Sequence, residues 1–214
     1  MSIFADVVDA VGQFFKSVWD AITGLFSSDP PEHAVQPCPL SHPMTPAKAQ
    51  EYFDKFKKQQ DEIPFDYPVD CCYSRAEAMD DQIAADGYSV GKVWNYASGY
   101  PQPTLTYYSD KVPGGQGHWV YHVAPIVPVQ QPDGTVQMMV IDPSTESGPV
   151  SIEQWKRDQH DPGARTVTTD AGPYYLSPAG KPSPETAKDN VNLTLARHRA
   201  SREALRASMA RPTP

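Results

Sequence analysis

Two β-forming runs flanking a short turn constrain this chain more than any other feature. Trp119, Val120, Tyr121 and Val123 begin the first run, Gln130-Gln131-Pro132-Asp133-Gly134 supplies turn residues, and Val136 to Ile141 forms the second. Aromatic and β-branched residues favour a pleated backbone and Pro-Asp-Gly reverses it, so the stretch reads as an antiparallel hairpin. Centring the turn on Pro132 and Asp133 pairs Val129 with Thr135 or Val136 and sets His122 opposite Asp142 or Pro143. Directly opposed side chains have Cβ atoms about 5 Å apart, close enough for a carboxylate to hold an imidazole. A slip of one residue would send the two to opposite faces. Pro125 and Pro128 give no N–H to a ladder, which marks this strand as an edge or a bulge.

A helix precedes the hairpin. It runs from Cys72 to about Ala85, Gly87 suits its C-cap and Asp70 its N-cap. Cys72 then falls in the first turn, where the helix dipole and unpaired amides favour a thiolate and can stabilise an oxyanion. Cys72, Ala76, Met79 and Ile83 also share one face, a pattern equally compatible with core packing. Thiol, imidazole and carboxylate are the parts of a cysteine nucleophile: Cys72 to attack, His122 to move protons, Asp142 to orient the imidazole. His118 is the alternative base. On one strand His118 and His122 lie about 13 Å apart, too far to share an ion, so metal binding is not expected. Before them, Pro113-Gly114-Gly115-Gln116-Gly117 is a flexible loop, either an active-site flap or a surface turn. No Gly-Lys-Ser/Thr follows it, so it is not a phosphate loop.

The rest of the chain divides by pattern. Residues 1–28 contain an amphipathic helix over 3–26, a handle for delivery, a partner or a cap; its polar face carries Asp6, Asp9 and Asp20, unlike a membrane-surface helix. Residues 29–60 form a Pro-rich linker and a charged helix near 46–60. Residues 61–182 form a catalytic domain, and residues 183–214 a basic helix and tail with Ser183 as N-cap. The tail holds six Lys/Arg against three Asp/Glu from Glu185 onward. The 23 prolines and an apolar share of 39% imply many loops, and a net charge of -8 argues against nucleic acid as a partner. Cys38, Cys71 and Cys72 are too few for a disulfide framework and read as reduced thiols. No run approaches the roughly 20 apolar residues that span a membrane. The amino terminus lacks a basic n-region, so the expectation is synthesis in the cytoplasm without a cleavable signal peptide.

Taken together, the segments resemble the protein-glutaminase (protein-glutamine deamidase) family. The runs that carry the likeness are Cys72-Tyr73-Ser74-Arg75-Ala76 with Met79 and Gly87-Tyr88, Tyr121-His122-Val123-Ala124, Ile141-Asp142-Pro143-Ser144, Ser147-Gly148-Pro149-Val150 with Trp155, and Tyr174-Tyr175 with Ser177-Pro178. The resemblance covers roughly residues 62–182. It implies an α+β fold of papain or transglutaminase type: an antiparallel sheet packed against helices, the nucleophile at a helix N-terminus, and flanking N- and C-terminal helices. It carries a catalytic triad onto Cys72, His122 and Asp142, needing no cofactor and no metal. The implied reaction is hydrolysis of glutamine side chains in a protein substrate to glutamate and ammonia through a cysteine thioester. Two departures stand out: disulfide cysteines are missing, and Cys71 precedes the nucleophile where glycine or another small residue is expected. Alternatives on the same triad are a transglutaminase, a thiol peptidase or a catalytically silent binding module. The expected setting is an effector or toxin exported by a specialised secretion system into a target cell, with a secretion component, chaperone or inhibitor protein as partner. Residues 1–60 are alternatively a cover over the active site.

Overall fold

Local chemistry sets the ends of each helix. The computed structural model describes residues 38–110, 112–172 and 183–210. The amphipathic stretch at 3–26 and the Tyr174-Tyr175 and Ser177-Pro178 runs lie outside the described residues. Helix α1 spans Pro46–Lys58, with Thr45 accepting from the Lys48 N–H at 3.1 Å and Pro46 in the first turn, where no N–H is needed. Its Ala49, Tyr52, Phe53 and Phe56 recur at helical spacing and are all buried. Helix α2 spans Cys72–Ala85, and Gly87 past its end adopts a φ of 84°. Helix α3 is the short Ile152–Arg157, capped by Ser151. Helix α4 spans Pro184–Met209, and Ser183 caps it by accepting from the Thr186 N–H at 3.2 Å, as its sequence requires.

The N-cap of α2 differs from expectation. Cys71, not Asp70, holds that position, in the left-handed region with φ 69°. Asp70 instead accepts from the Cys71 N–H through Oδ1 at 2.6 Å. A left-handed residue costs roughly 1–2 kcal/mol unless it is glycine, which gives the expectation of a small residue before the nucleophile a physical basis.

The strands are β1 (Gly91–Tyr96), β2 (Leu105–Tyr108), β3 (Gln116–Trp119), β4 (Tyr121–Gln130), β5 (Val136–Val140), β6 (Val150–Ser151) and β7 (Arg165–Asp170). Five form one antiparallel sheet in the order β6-β5-β4-β1-β7, and β2 pairs with β3 separately. One face of the large sheet presents Val127 and Val129 to a core shared with Tyr52, Phe53 and Phe56 of α1, Met79 and Ile83 of α2, and Val191 and Leu195 of α4. The other face presents Val93, Ala124, Ile126 and Val140 to Trp155 of α3. The α+β architecture expected from the resemblance is therefore present, with an antiparallel sheet between helices.

Two expectations about the hairpin need correction. Val129 pairs with Gln137 and Gln130 with Val136, so the reversal takes five residues and the register sits further along than the two-residue turn predicts. His122 has Asn95 of β1 as its ladder partner, and β5 ends at Val140 before reaching it. The strand with Pro125 and Pro128 is also central rather than an edge. In an antiparallel strand a residue's N–H and C=O point to the same side. The Pro125 carbonyl accepts from Ile141 just past β5, and the Pro128 carbonyl accepts from Met44, past the end of β1. Each missing N–H thus points where a regular ladder has already stopped.

Candidate active site

β4 and the turn after β5 build the better-ordered half of the site. His122 is buried, and its Nε2 lies 2.7 Å from Asp142 Oδ2. The same carboxylate oxygen accepts from Trp155 Nε1 at 2.9 Å and from the Thr145 hydroxyl at 3.0 Å, while Oδ1 accepts from the Ser144 N–H at 3.0 Å. Burial opposes ionisation of Asp142, but the facing His122, the His122 and Trp155 hydrogen bonds and the nearby Arg75 charge outweigh it. Its carboxyl is held well below the usual carboxylate range. The imidazole is clamped between two indoles: Trp119 stacks on it at 4.1 Å and 17°, and Trp155 at 5.4 Å and 27°. Trp119 is itself anchored by its Nε1 donating to the Pro68 carbonyl at 2.9 Å. One atom of His122 remains unspent. Nδ1 is buried and has no hydrogen-bond partner among the described residues.

The nucleophile half is built differently. Cys72 opens α2 and packs with Ala76, Trp94, Tyr96 and Val123. Val123 directly follows His122 on β4, and its backbone N–H donates to the sulfur. Only 7% of Cys72 is exposed. Burial pushes its thiol up to about 12, opposed by the Arg75 charge and aided by Asp70. Burial thus opposes the thiolate that the helix dipole and the Arg75 guanidinium favour. Cys72 and His122 share no hydrogen bond here.

Arg75 lies one turn along α2, 2% exposed, and donates through Nη1 to the carbonyls of Asp70 (2.6 Å) and Tyr67 (3.3 Å). It thereby ties down the segment entering the nucleophile and keeps a positive charge near both Cys72 and Asp142. Its Nη2 is buried without a partner.

The three residues read from the sequence thus separate into a bonded pair, His122 and Asp142, and a thiol packed against the next residue of the same strand. His118, the alternative base, sits exposed on β3 and contacts Thr106 Oγ1 at 3.1 Å, away from that pair. The glycine loop before it is a short 3-10 turn over Pro113–Gly115. Cys71 and Cys72 point into different core clusters, and all three thiols are free. Sequence reasoning assigned no role to Arg75, Trp119, Thr145 or Trp155. Trp155 and Arg75 stood inside the runs that carried the resemblance, and that was the one available signal. Among the described residues, no three of His, Cys, Asp and Glu cluster as a metal ion would require.

Comparison with known proteins adds an independent line. Residues 49–159 match the family described as glutaminase. A crystal structure of protein-glutaminase superposes with a TM-score of 0.60 at 25% identity, over 75% of this chain and 90% of that one. The solution structure of protein-glutaminase from Chryseobacterium proteolyticum gives 0.59 at 26%, over 73% and 88%. A crystal structure of pro-protein-glutaminase shares the fold, with 0.62 at 24%, over 84% of this chain and 66% of that one. No curated protein sequence matches the chain.

Proposed function

The chain belongs to the glutaminase family, and from that premise we propose that Cys72, His122 and Asp142 hydrolyse glutamine side chains of a protein substrate through a cysteine thioester. The observation that carries the reading is the division of labour on one imidazole: Nε2 bonded to an ionised Asp142, Nδ1 buried and unpartnered. With Nε2–H donated to Asp142, Nδ1 carries the lone pair and is the atom able to take a proton.

The chemistry follows from that tautomer. The Cys72 thiol gives its proton to Nδ1, and the sulfur attacks the carboxamide carbon. The first turn of α2 supplies the amides for the oxyanion, while the Val123 N–H donates to the sulfur. The imidazolium then protonates the departing ammonia, which leaves a thioester. Nδ1 next removes a proton from water, the resulting hydroxide attacks the thioester, and glutamate is released with the thiol restored. Because burial opposes ionisation of the thiol, its proton passes to Nδ1 as the sulfur attacks. Asp142 and the two indoles hold the ring still during both transfers.

The test is peptide mapping of a glutamine-bearing protein after incubation with wild-type chain or Cys72→Ala. The expected result is conversion of glutamine to glutamate by the wild type alone. Amine cross-links would assign a transglutaminase, cleaved backbone a peptidase, and an unchanged substrate a silent binding module. The finer biological role, delivery into another cell as an effector or toxin, rests on the amphipathic pattern of residues 1–28. Transfer to recipient cells that survives their deletion contradicts it.

A further inference from the structure

The turn that carries Asp142 also carries a second carboxylate. Thr145 Oγ1 lies 3.0 Å from Asp142 Oδ2 and 3.3 Å from Glu146 Oε1. A hydroxyl has one hydrogen to give, and an ionised carboxylate can only accept. Each contact has its own hydrogen when a protonated Glu146 donates to Thr145 and Thr145 donates to Asp142; with Glu146 ionised the one hydroxyl hydrogen is shared or goes to one carboxylate. Once Glu146 ionises, two carboxylates compete for the same hydrogen. The backbone keeps the three side chains together, since the Asp142 carbonyl accepts from the N–H groups of Thr145 (3.4 Å) and Glu146 (3.0 Å).

We propose that Glu146 is a positioning residue that tunes the His122–Asp142 pair to pH through the Thr145 hydroxyl. Among the described residues, the charged groups acting on Glu146 are Asp142 in its own turn and Asp158 at the end of α3, and both are acidic. Burial together with these two negative neighbours raises the Glu146 carboxyl to about 7. Above that pH an ionised Glu146 draws the Thr145 hydrogen away from Asp142 and adds a second negative charge facing the pair. Both effects favour a proton on His122, and therefore its uptake of the Cys72 proton as the sulfur attacks an electrophile. Below it, a neutral Glu146 leaves Thr145 donating to Asp142, which weakens the carboxylate's hold on an imidazolium. The inference rests on the assignment of His122 as the proton acceptor of Cys72.

The test is the rate at which iodoacetamide alkylates Cys72 in the full chain, read by peptide mass across the pH range for wild type, Glu146→Gln, Thr145→Val and the double variant. Glutamine copies the neutral acid at every pH. Expected is a rate about threefold to tenfold lower for Glu146→Gln near pH 8, with the two curves merging below about pH 6, where wild-type Glu146 is already protonated. In the Thr145→Val background the difference shrinks. A wild-type to variant ratio constant over pH overturns the proposal, because a purely structural role does not titrate. An undiminished effect without the Thr145 hydroxyl overturns the route. Ammonia release from a glutamine protein, measured alongside, keeps the two readings apart: a wild type that releases none contradicts the deamidase assignment, while the alkylation series still decides the role of Glu146.

Discussion

The two halves of the site are prepared in opposite ways. On the sheet side, Asp142 gathers donors from His122, Trp155, Thr145 and the Ser144 amide, and the imidazole is held between two rings. On the helix side, the Cys72 sulfur sits in a largely apolar pocket that keeps its thiol neutral. The imidazole is fixed by hydrogen bonds and two rings, whereas the sulfur is held by apolar packing and one backbone N–H. On the proposed mechanism, this difference places the control of reactivity on the thiol rather than on the base. A thiolate held permanently in water would react with many electrophiles and oxidants, whereas burial opposes ionisation of Cys72.

Four variants break or sharpen this comparison. Cys72→Ala removes the nucleophile and is expected to lower ammonia release by at least about 10⁴-fold, with the fold retained by circular dichroism. Asp142→Asn removes the negative charge that fixes the tautomer, and a loss of about 10³-fold or more in kcat with little change in KM is expected from the wrong-tautomer effect. Trp155→Phe keeps a ring against His122 but deletes one donor to Asp142. A charge-assisted hydrogen bond of about 1.5–3 kcal/mol sets an upper range near tenfold to a hundredfold, with the lower end expected because other donors remain. An effect on kcat as small for Asp142→Asn as for Trp155→Phe would show that the sheet side is not the organised half.

The smallest expected effect concerns the middle of α2, where Lys92 is buried between Glu77 and Asp80. Burial, only partly offset by Lys92 and reinforced by Glu77, holds the Asp80 carboxyl well above its ordinary value. The folded state therefore binds more protons than the unfolded state once pH exceeds the unfolded value near about 4, and stability falls as pH rises from there. Asp80→Asn removes that penalty, so its Tm is expected to exceed wild type near neutral pH and to converge with it near pH 4. A lower Tm at neutral pH would show that the Lys92 contact outweighs the buried charge.

Much of this architecture was legible from short-range patterns. Ser183 before Pro-Glu-Thr placed the start of α4, and Cys72 through Gly87 placed α2, because caps and left-handed stops are local chemistry. The hairpin was legible too, but its register was not, since Gln131 to Thr135 close on each other through their own hydrogen bonds and lengthen the turn. Relative to the register that set His122 opposite Asp142, the ladder is displaced by two residues, which keeps both side chains on one face; relative to the one that set it opposite Pro143 it is displaced by one. What the sequence concealed was tertiary. The indole clamp on His122 joins Trp119 from β3 and Trp155 from α3, and no spacing announces it. The burial opposing ionisation of the Cys72 thiol was hidden for the same reason: a helix dipole is visible in sequence, and packing against β1 and β4 is not.

The central claim is that the Cys72 sulfur carries the substrate's acyl group between loss of ammonia and attack of water. Rapid acid quench of full-length wild-type protein mixed with a glutamine-bearing peptide, followed by mass mapping, tests it most directly. The account predicts that the peptide containing Cys72 gains the substrate mass less one ammonia, that hydroxylamine removes the adduct, and that Cys72→Ala neither forms it nor converts glutamine. Glutamate formation by Cys72→Ala at the wild-type rate, with no adduct on any cysteine, would contradict it.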